Sequence, residues 1–167
     1  MSIRIGIITV SDRSSSGDRP DESGPALVRE VNKLGWHVTR TKVLPDELDQ
    51  LSAILIDWAD SGEMDVILTT GGTGFSPRDV TPEATLAIIH RLTPGIAEAM
   101  RSTSLQITSH AMLSRAIAGI RSHTLIVNLP GNPKAAIENF SVIIPVLPHA
   151  VQLLRDEPSA ETGHRAI

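Results

Sequence analysis

The sequence predicts one α/β domain of three layers, with helices on both faces of a mostly parallel central sheet and one short hairpin. Three observations carry that expectation. Apolar stretches alternate between continuous β-branched runs and runs with apolar residues three and four apart. Three strand-like runs end in small or polar residues, "TVSDR", "LTTGGTG" and "VNLPGNP", as strands do where an open α/β sheet meets its ligand. The 167 residues suit a single domain that buries a core without staples.

The elements follow in order. "RIGIITVS" reads as a buried strand over Arg4 to Thr9, and the polar loop "SDRSSSGDRPDES" after it is long enough to act as a flap. In "GPALVREVNKLG" Leu27, Val28, Val31 and Leu34 share a helical face that ends at Gly35. "WHVTRTKVL" alternates as a half-exposed strand. The next helix, "PDELDQLSAILIDWADSG", turns Leu48, Leu51, Ile54, Leu55 and Trp58 inward. "DVILTT" is a further buried strand. Thr81 with Pro82 reads as cap and first position of the helix "PEATLAIIHRL", and "TPGIAEAMR" starts another. "RAIAGIR" and "TLIVNLP" form the hairpin. Asn132 and Pro133 start a last helical stretch that Pro145 and Pro148 kink or split. Residues 1–155 make the domain, and a polar tail, 156–167, frays from Arg155 onward.

Composition excludes several functions. Only 2% of residues are aromatic and the net charge is −4, so neither stacking platforms nor a general basic field is available for nucleic acid. The absence of cysteine removes thiolate catalysis and the usual structural zinc sites. No stretch approaches the ~20 apolar residues that span a bilayer. The N-terminal apolar run is too short and too β-branched for a signal peptide, which points to a cytoplasmic protein.

The segment "VILTTGGTGFSPRDVTPEAT" concentrates the chemistry. Glycines at a strand end let backbone N–H groups approach a phosphate, and a helix start adds partial positive charge. The same turn also reads as a plain strand-to-helix connection, since it matches neither a Walker A loop nor a dinucleotide fingerprint. Asp46 and Asp79 both precede helix starts on the expected ligand edge. Each alone suits a helix N-terminus. Together, beside a phosphate, they would repel it without a cation between them, and Mg²⁺ held by one or two carboxylates plus phosphate oxygens answers that. Asp12 reads as either a ligand-orienting or a capping group. Lys134 reads more readily as a solvated first-turn side chain than as a phosphate contact, Arg115 is open between the same two readings, and the six histidines form no motif.

"SDR", "SGPAL", "LPDE", "LTTGGTG", "RDVTPEAT", "PGIAEAMR", "LSRAIAGIR" and "NLPGNPKA" occur in this order between Ile5 and Leu154. Together they closely resemble the MogA/MoaB family of molybdenum cofactor biosynthesis, which includes the G domain of gephyrin. The resemblance implies a homotrimer of α/β subunits and molybdopterin adenylylation. In that reaction ATP and molybdopterin give adenylyl-molybdopterin and pyrophosphate, with Mg²⁺. By likeness, Asp46 and Asp79 match the two catalytic, metal-associated aspartates. Ser11, Asp12, Thr70, Gly71, Gly72, Thr73, Gly74, Ser114, Pro130 and Gly131 match segments lining the nucleotide and pterin pocket. A non-catalytic, molybdopterin-binding or scaffolding trimer of the same fold is the alternative.

Overall fold

A computed structural model describes residues 1–157. The strands are β1 (Arg4–Val10), β2 (His37–Leu44), β3 (Val66–Thr70), β4 (Arg91–Leu92), β5 (Ala118–Arg121) and β6 (Thr124–Leu129). The helices are α1 (Asp12–Ser15), α2 (Ser23–Lys33), α3 (Leu48–Asp60), α4 (Thr81–Ile88), α5 (Pro94–Leu105), α6 (Pro133–Ile143) and α7 (Leu147–Leu154). A 3-10 turn spans Ser109–Leu113. The strands form one sheet in the order β2-β1-β3-β6-β5-β4. β2, β1, β3 and β6 run parallel, while β5 runs antiparallel to both β6 and β4. This is the expected three-layer fold with its hairpin.

The two faces follow from strand alternation. Ile5 and Ile7 of β1 point to one side, where Leu27 and Val31 of α2, Met100 of α5, Phe140 of α6 and Val151 of α7 complete a core. Ile8 and Val10 point to the other, against Leu51, Leu55 and Trp58 of α3 and Ala84 of α4. Gly6 sits under Trp58 on that second face. A Cβ there would meet the Met64 sulfur at 2.5 Å and Trp58 Cε3 at 2.8 Å, so only glycine lets the indole lie on the strand. Leu48, expected inside, is 39% exposed at the open first turn of α3.

Helix boundaries follow local chemistry, with three corrections. Asn132 caps α6 as expected, its Oδ1 accepting from the Ala135 N–H at 3.1 Å with Pro133 at the first position. Asn132→Ala should lower stability by about 1 kcal/mol, read from a shifted urea midpoint at unchanged slope. Around Pro145 and Pro148 the last helical stretch splits into α6 and α7, which meet at 65°. Thr81, however, is not a cap: Val80 holds that place. Thr81 is fully buried and its Oγ1 donates to the Gly71 carbonyl at 2.8 Å. The helix predicted to reach Leu92 stops at Ile88. The His90 N–H donates to Ile120 O at 2.8 Å, and Arg91 and Leu92 pair with β5 instead. Arg155 does not fray: its guanidinium holds Asp65 at 2.7 and 3.0 Å. The rest of the predicted tail, 158–167, lies outside the described residues. No single described helix is long and apolar enough to cross a membrane.

Candidate active site

The loops leaving β1, β2, β3 and β6 at their carboxyl ends converge on two clefts separated by the glycine turn 71–74. The first cleft, about 470 Å³, is lined by Ser11, Asp46, Thr70, Gly71, Gly72, Asp79 and Gly131 among the expected residues. The second, about 290 Å³, is lined by Thr73, Gly74, Ser114 and Pro130. The residues expected to line the nucleotide and pterin pocket are thus shared between the two clefts, Asp12 apart. Asp12 lines neither cleft, because its carboxylate is taken up by Arg78 and by the Asp46 N–H.

The glycine turn is shaped by backbone geometry. Gly71 (φ +106°) and Gly72 (φ +64°) are left-handed, and a Cβ at Gly71 would stand 2.2 Å from the Val10 carbonyl oxygen. The Gly71 N–H is committed to Leu129 O at 3.1 Å, so it is not available to a phosphate. The N–H groups of Gly72, Thr73 and Gly74 donate to no described residue. Thr70 is fully buried, and its hydroxyl donates to Pro130 O at 2.8 Å, which ties the turn to the loop after β6.

The two aspartates stand over this turn. Asp46 Oδ2 accepts from the Asp12 N–H at 2.9 Å, and Asp79 Oδ2 accepts from the Ser76 N–H at 3.1 Å. The other oxygen of each accepts no hydrogen bond among the described residues. A Cβ at Gly72 would lie 2.9 Å from Asp46 Oδ1, and one at Gly74 2.9 Å from Asp79 Oδ2, so the turn leaves a cradle that side chains would fill. Burial pushes the Asp46 carboxyl above its ordinary value, and the neighbouring Asp12 and Asp79 charges push the same way. A cation between Asp46 and Asp79 reverses that penalty. The two open carboxylate oxygens are hard-oxygen donors of the kind that would hold Mg²⁺, and the free N–H groups beside them suit the oxygens of a phosphate. No group of three or more Asp, Glu or His positioned to hold a metal occurs among the described residues.

Two arginines brace the loop that carries Asp79. Arg78 forks onto Asp12 at 2.9 and 3.0 Å and reaches Glu47 at 2.7 Å. The Asp12 carboxyl is accordingly held below its usual range, with the Arg78 hydrogen bonds the largest influence. Arg115 donates to Gly74 O and Asp79 O, both at 2.7 Å, and pairs with Glu83. It is a scaffold for the turn, not a free phosphate contact. Lys134 is solvated, 3.8 Å from Glu138. The flap after β1 contributes Ser14, Arg19 and Asp21 to the first cleft, none of which the sequence singled out. Asp21 was legible as an Asx cap, since it accepts from the Gly24 N–H at 3.0 Å and from Thr9 Oγ1 at 2.8 Å. Arg101, His110 and Asn139, in the second cleft, come from segments with no local signal.

Comparison with known proteins identifies the family. Residues 6–149 match the family model described as "Probable molybdopterin binding domain". The chain is 46% identical to gephyrin of Dictyostelium discoideum over 97% of its own length, but spans only 24% of that protein. It is 42% identical to the molybdopterin adenylyltransferase of Helicobacter pylori (strain J99), over 91% of this chain and 88% of that one. Among solved structures, MoaB of Thermus thermophilus superposes with a TM-score of 0.87 at 45% identity, covering 93% of this chain and 98% of the other. With a family model spanning nearly the whole described chain and relatives matched over most of both chains, the chain belongs to the MogA/MoaB family of molybdopterin-binding proteins.

Proposed function

We propose that the protein is a molybdopterin adenylyltransferase: it transfers AMP from ATP to the terminal phosphate of molybdopterin and releases pyrophosphate. The observation that carries the reading is the pair of half-free carboxylates, Asp46 and Asp79, over a glycine turn whose other side lines a second cleft. The first cleft takes the phosphates of ATP and the second takes the pterin, so the turn sits where the two substrates meet. The likeness to the Helicobacter pylori adenylyltransferase supports the same assignment.

The chemistry needs no strong base. A phosphate oxygen of molybdopterin, already deprotonated near neutral pH, attacks the α-phosphorus of ATP. As that P–O bond forms, the bond from the α-phosphorus to the bridging oxygen of the β-phosphate breaks, and its electron pair leaves with pyrophosphate. The chain holds the two substrates in line and stabilises charge on the transferring phosphorus. Free N–H groups at Gly72, Thr73 and Gly74 bind phosphate oxygens, and Arg19 is the cationic side chain lining the first cleft. Asp46 and Asp79 hold Mg²⁺, which when bound neutralises polyphosphate charge.

The reading carries a domain over residues 1–155, a cytoplasmic enzyme and a homotrimer. Exposed apolar side chains at Leu105 and Met112, outside both clefts, support an interface of that kind. The deciding experiment incubates the protein with ATP, Mg²⁺ and molybdopterin. Pyrophosphate and adenylyl-molybdopterin should appear in equal amounts, and should vanish with chelator. Folded protein that binds molybdopterin but yields neither product would mark a binding or scaffolding member instead.

A further inference from the structure

Arg78 directly precedes Asp79, yet neither cleft has it as a lining residue. Its guanidinium crosses to loops far away in the chain. Nε donates to Asp12 Oδ2 at 2.9 Å, and Nη2 donates to Asp12 Oδ1 at 3.0 Å and to Glu47 at 2.7 Å. Asp12 in turn exchanges two hydrogen bonds with Asp46. The Asp12 N–H donates to Asp46 Oδ2 at 2.9 Å, and the Asp46 N–H donates to Asp12 Oδ1 at 3.0 Å. The loops after β1, β2 and β3 are thereby closed into a ring that runs Arg78, Asp12, Asp46, and returns along the backbone from Arg78 to Asp79.

Charge and exposure say what the ring is for. Asp12, Asp46, Glu47 and Asp79 crowd this edge, and among the described residues Arg78 is the cation hydrogen-bonded to Asp12 and Glu47. The Arg78 and Asp12 side chains are 54% and 41% exposed, so solvent screens the pair and it adds little to global stability. Its fork geometry nonetheless fixes the plane of the Asp12 carboxylate, whose Oδ1 takes the Asp46 N–H, while the N–H of the same residue holds Asp46 Oδ2.

We propose that Arg78 is a positioning residue for adenylyl transfer, acting through Asp12 to hold Asp46 at a set place against Asp79. The proposal rests on the adenylyl-transfer reading above. Lysine cannot substitute, because one ammonium cannot bond both oxygens of Asp12 and Glu47 in a fixed plane.

The test compares Arg78→Met, Arg78→Lys and the double variant Asp12→Asn/Arg78→Met with the wild type. Pyrophosphate release, melting and calorimetric ATP binding with and without Mg²⁺ are followed in parallel. Arg78→Met should lower kcat about 10- to 100-fold, the scale of a small misplacement of a reacting group, while the KM for molybdopterin and the melting midpoint stay near wild type. Arg78→Lys should match it. In the double variant the fork is equally absent, so kcat should stay at the Arg78→Met level, because Arg78 and Asp12 act as one unit. Wild-type kcat in Arg78→Met or in Arg78→Lys, or a double variant much slower than the single one, overturns the proposal. Absence of pyrophosphate from the wild type defeats the adenylyl-transfer reading alone. The calorimetric arm then decides: Arg78→Met should weaken Mg²⁺-dependent ATP binding about tenfold, and unchanged binding overturns the positioning role.

Discussion

Asp79→Asn should leave a folded protein that releases pyrophosphate at least about 10²–10³-fold more slowly than the wild type, the cost of removing one preorganised charge from a transferring group. Asparagine keeps the size of the side chain and an oxygen to accept from Ser76, so the loop retains its bond. Arg115 continues to hold the Gly74 and Asp79 carbonyls, which do not depend on the carboxylate. What changes is the charge facing the first cleft. Asp46→Asn should behave alike, and the pair combined should lose little beyond either alone, because the two act as one cation-holding unit. Melting midpoints within a degree or two of wild type are the control. Near-normal turnover in Asp79→Asn would remove the aspartate from the chemistry.

The largest stability effect should come from the opposite end of the sheet. Asp65 is 3% exposed and takes hydrogen bonds from the Arg4 N–H (2.7 Å), Arg4 Nη2 (2.9 Å), Arg155 Nε (3.0 Å) and Arg155 Nη2 (2.7 Å). Asp65→Ala removes the shared anion and leaves two guanidiniums facing each other. Breaking such a buried cluster costs about 3–5 kcal/mol, and since both arginines reach solvent the lower end is expected, about 3 kcal/mol by urea denaturation. The effect depends on pH with a definite sign. Burial pushes the Asp65 carboxyl up, but hydrogen bonds from Arg4 and Arg155 outweigh it and leave the group below its ordinary value. Its stabilisation is therefore complete above the unfolded-chain value of about 3.9 and is lost as pH falls through the folded one. Asp65→Asn should be much less stable than wild type at neutral pH, and the gap should narrow in acid. An equal gap at neutral and at acid pH would show that the carboxylate charge is not the source.

Much of this was legible because local chemistry decides it. The β-branched runs around Ile7 and Leu68 became the buried parallel strands, Asn132 with Pro133 set a helix start, and Pro145 ended a helix. Gly71 and Gly72 announced the turn, and Asp46 with Asp79 announced the edge it occupies. What escaped was set by partners distant in sequence. Arg91 and Leu92 look helical until β5 offers Ile120 and Gly119 as ladder partners. Thr81 reads as a cap until the Gly71 carbonyl needs a donor. Asp12 was open between ligand and cap because its partner, Arg78, lies 66 residues away. The division into two clefts depends on how the turn passes between Asp79 and Ser114, which no periodicity records.

The sheet also keeps its two tasks apart. The loops that carry Asp46, Asp79 and the glycine turn leave the carboxyl ends of β2 and β3, whereas Arg4 and Asp65 sit where β1 and β3 begin. At ~3.3 Å per residue, the five residues of β3 put roughly 17 Å of hydrogen-bonded backbone between Asp65 and the glycines. Heat tolerance and turnover can thus drift independently: substitutions that toughen or loosen one pole need not be felt at the other.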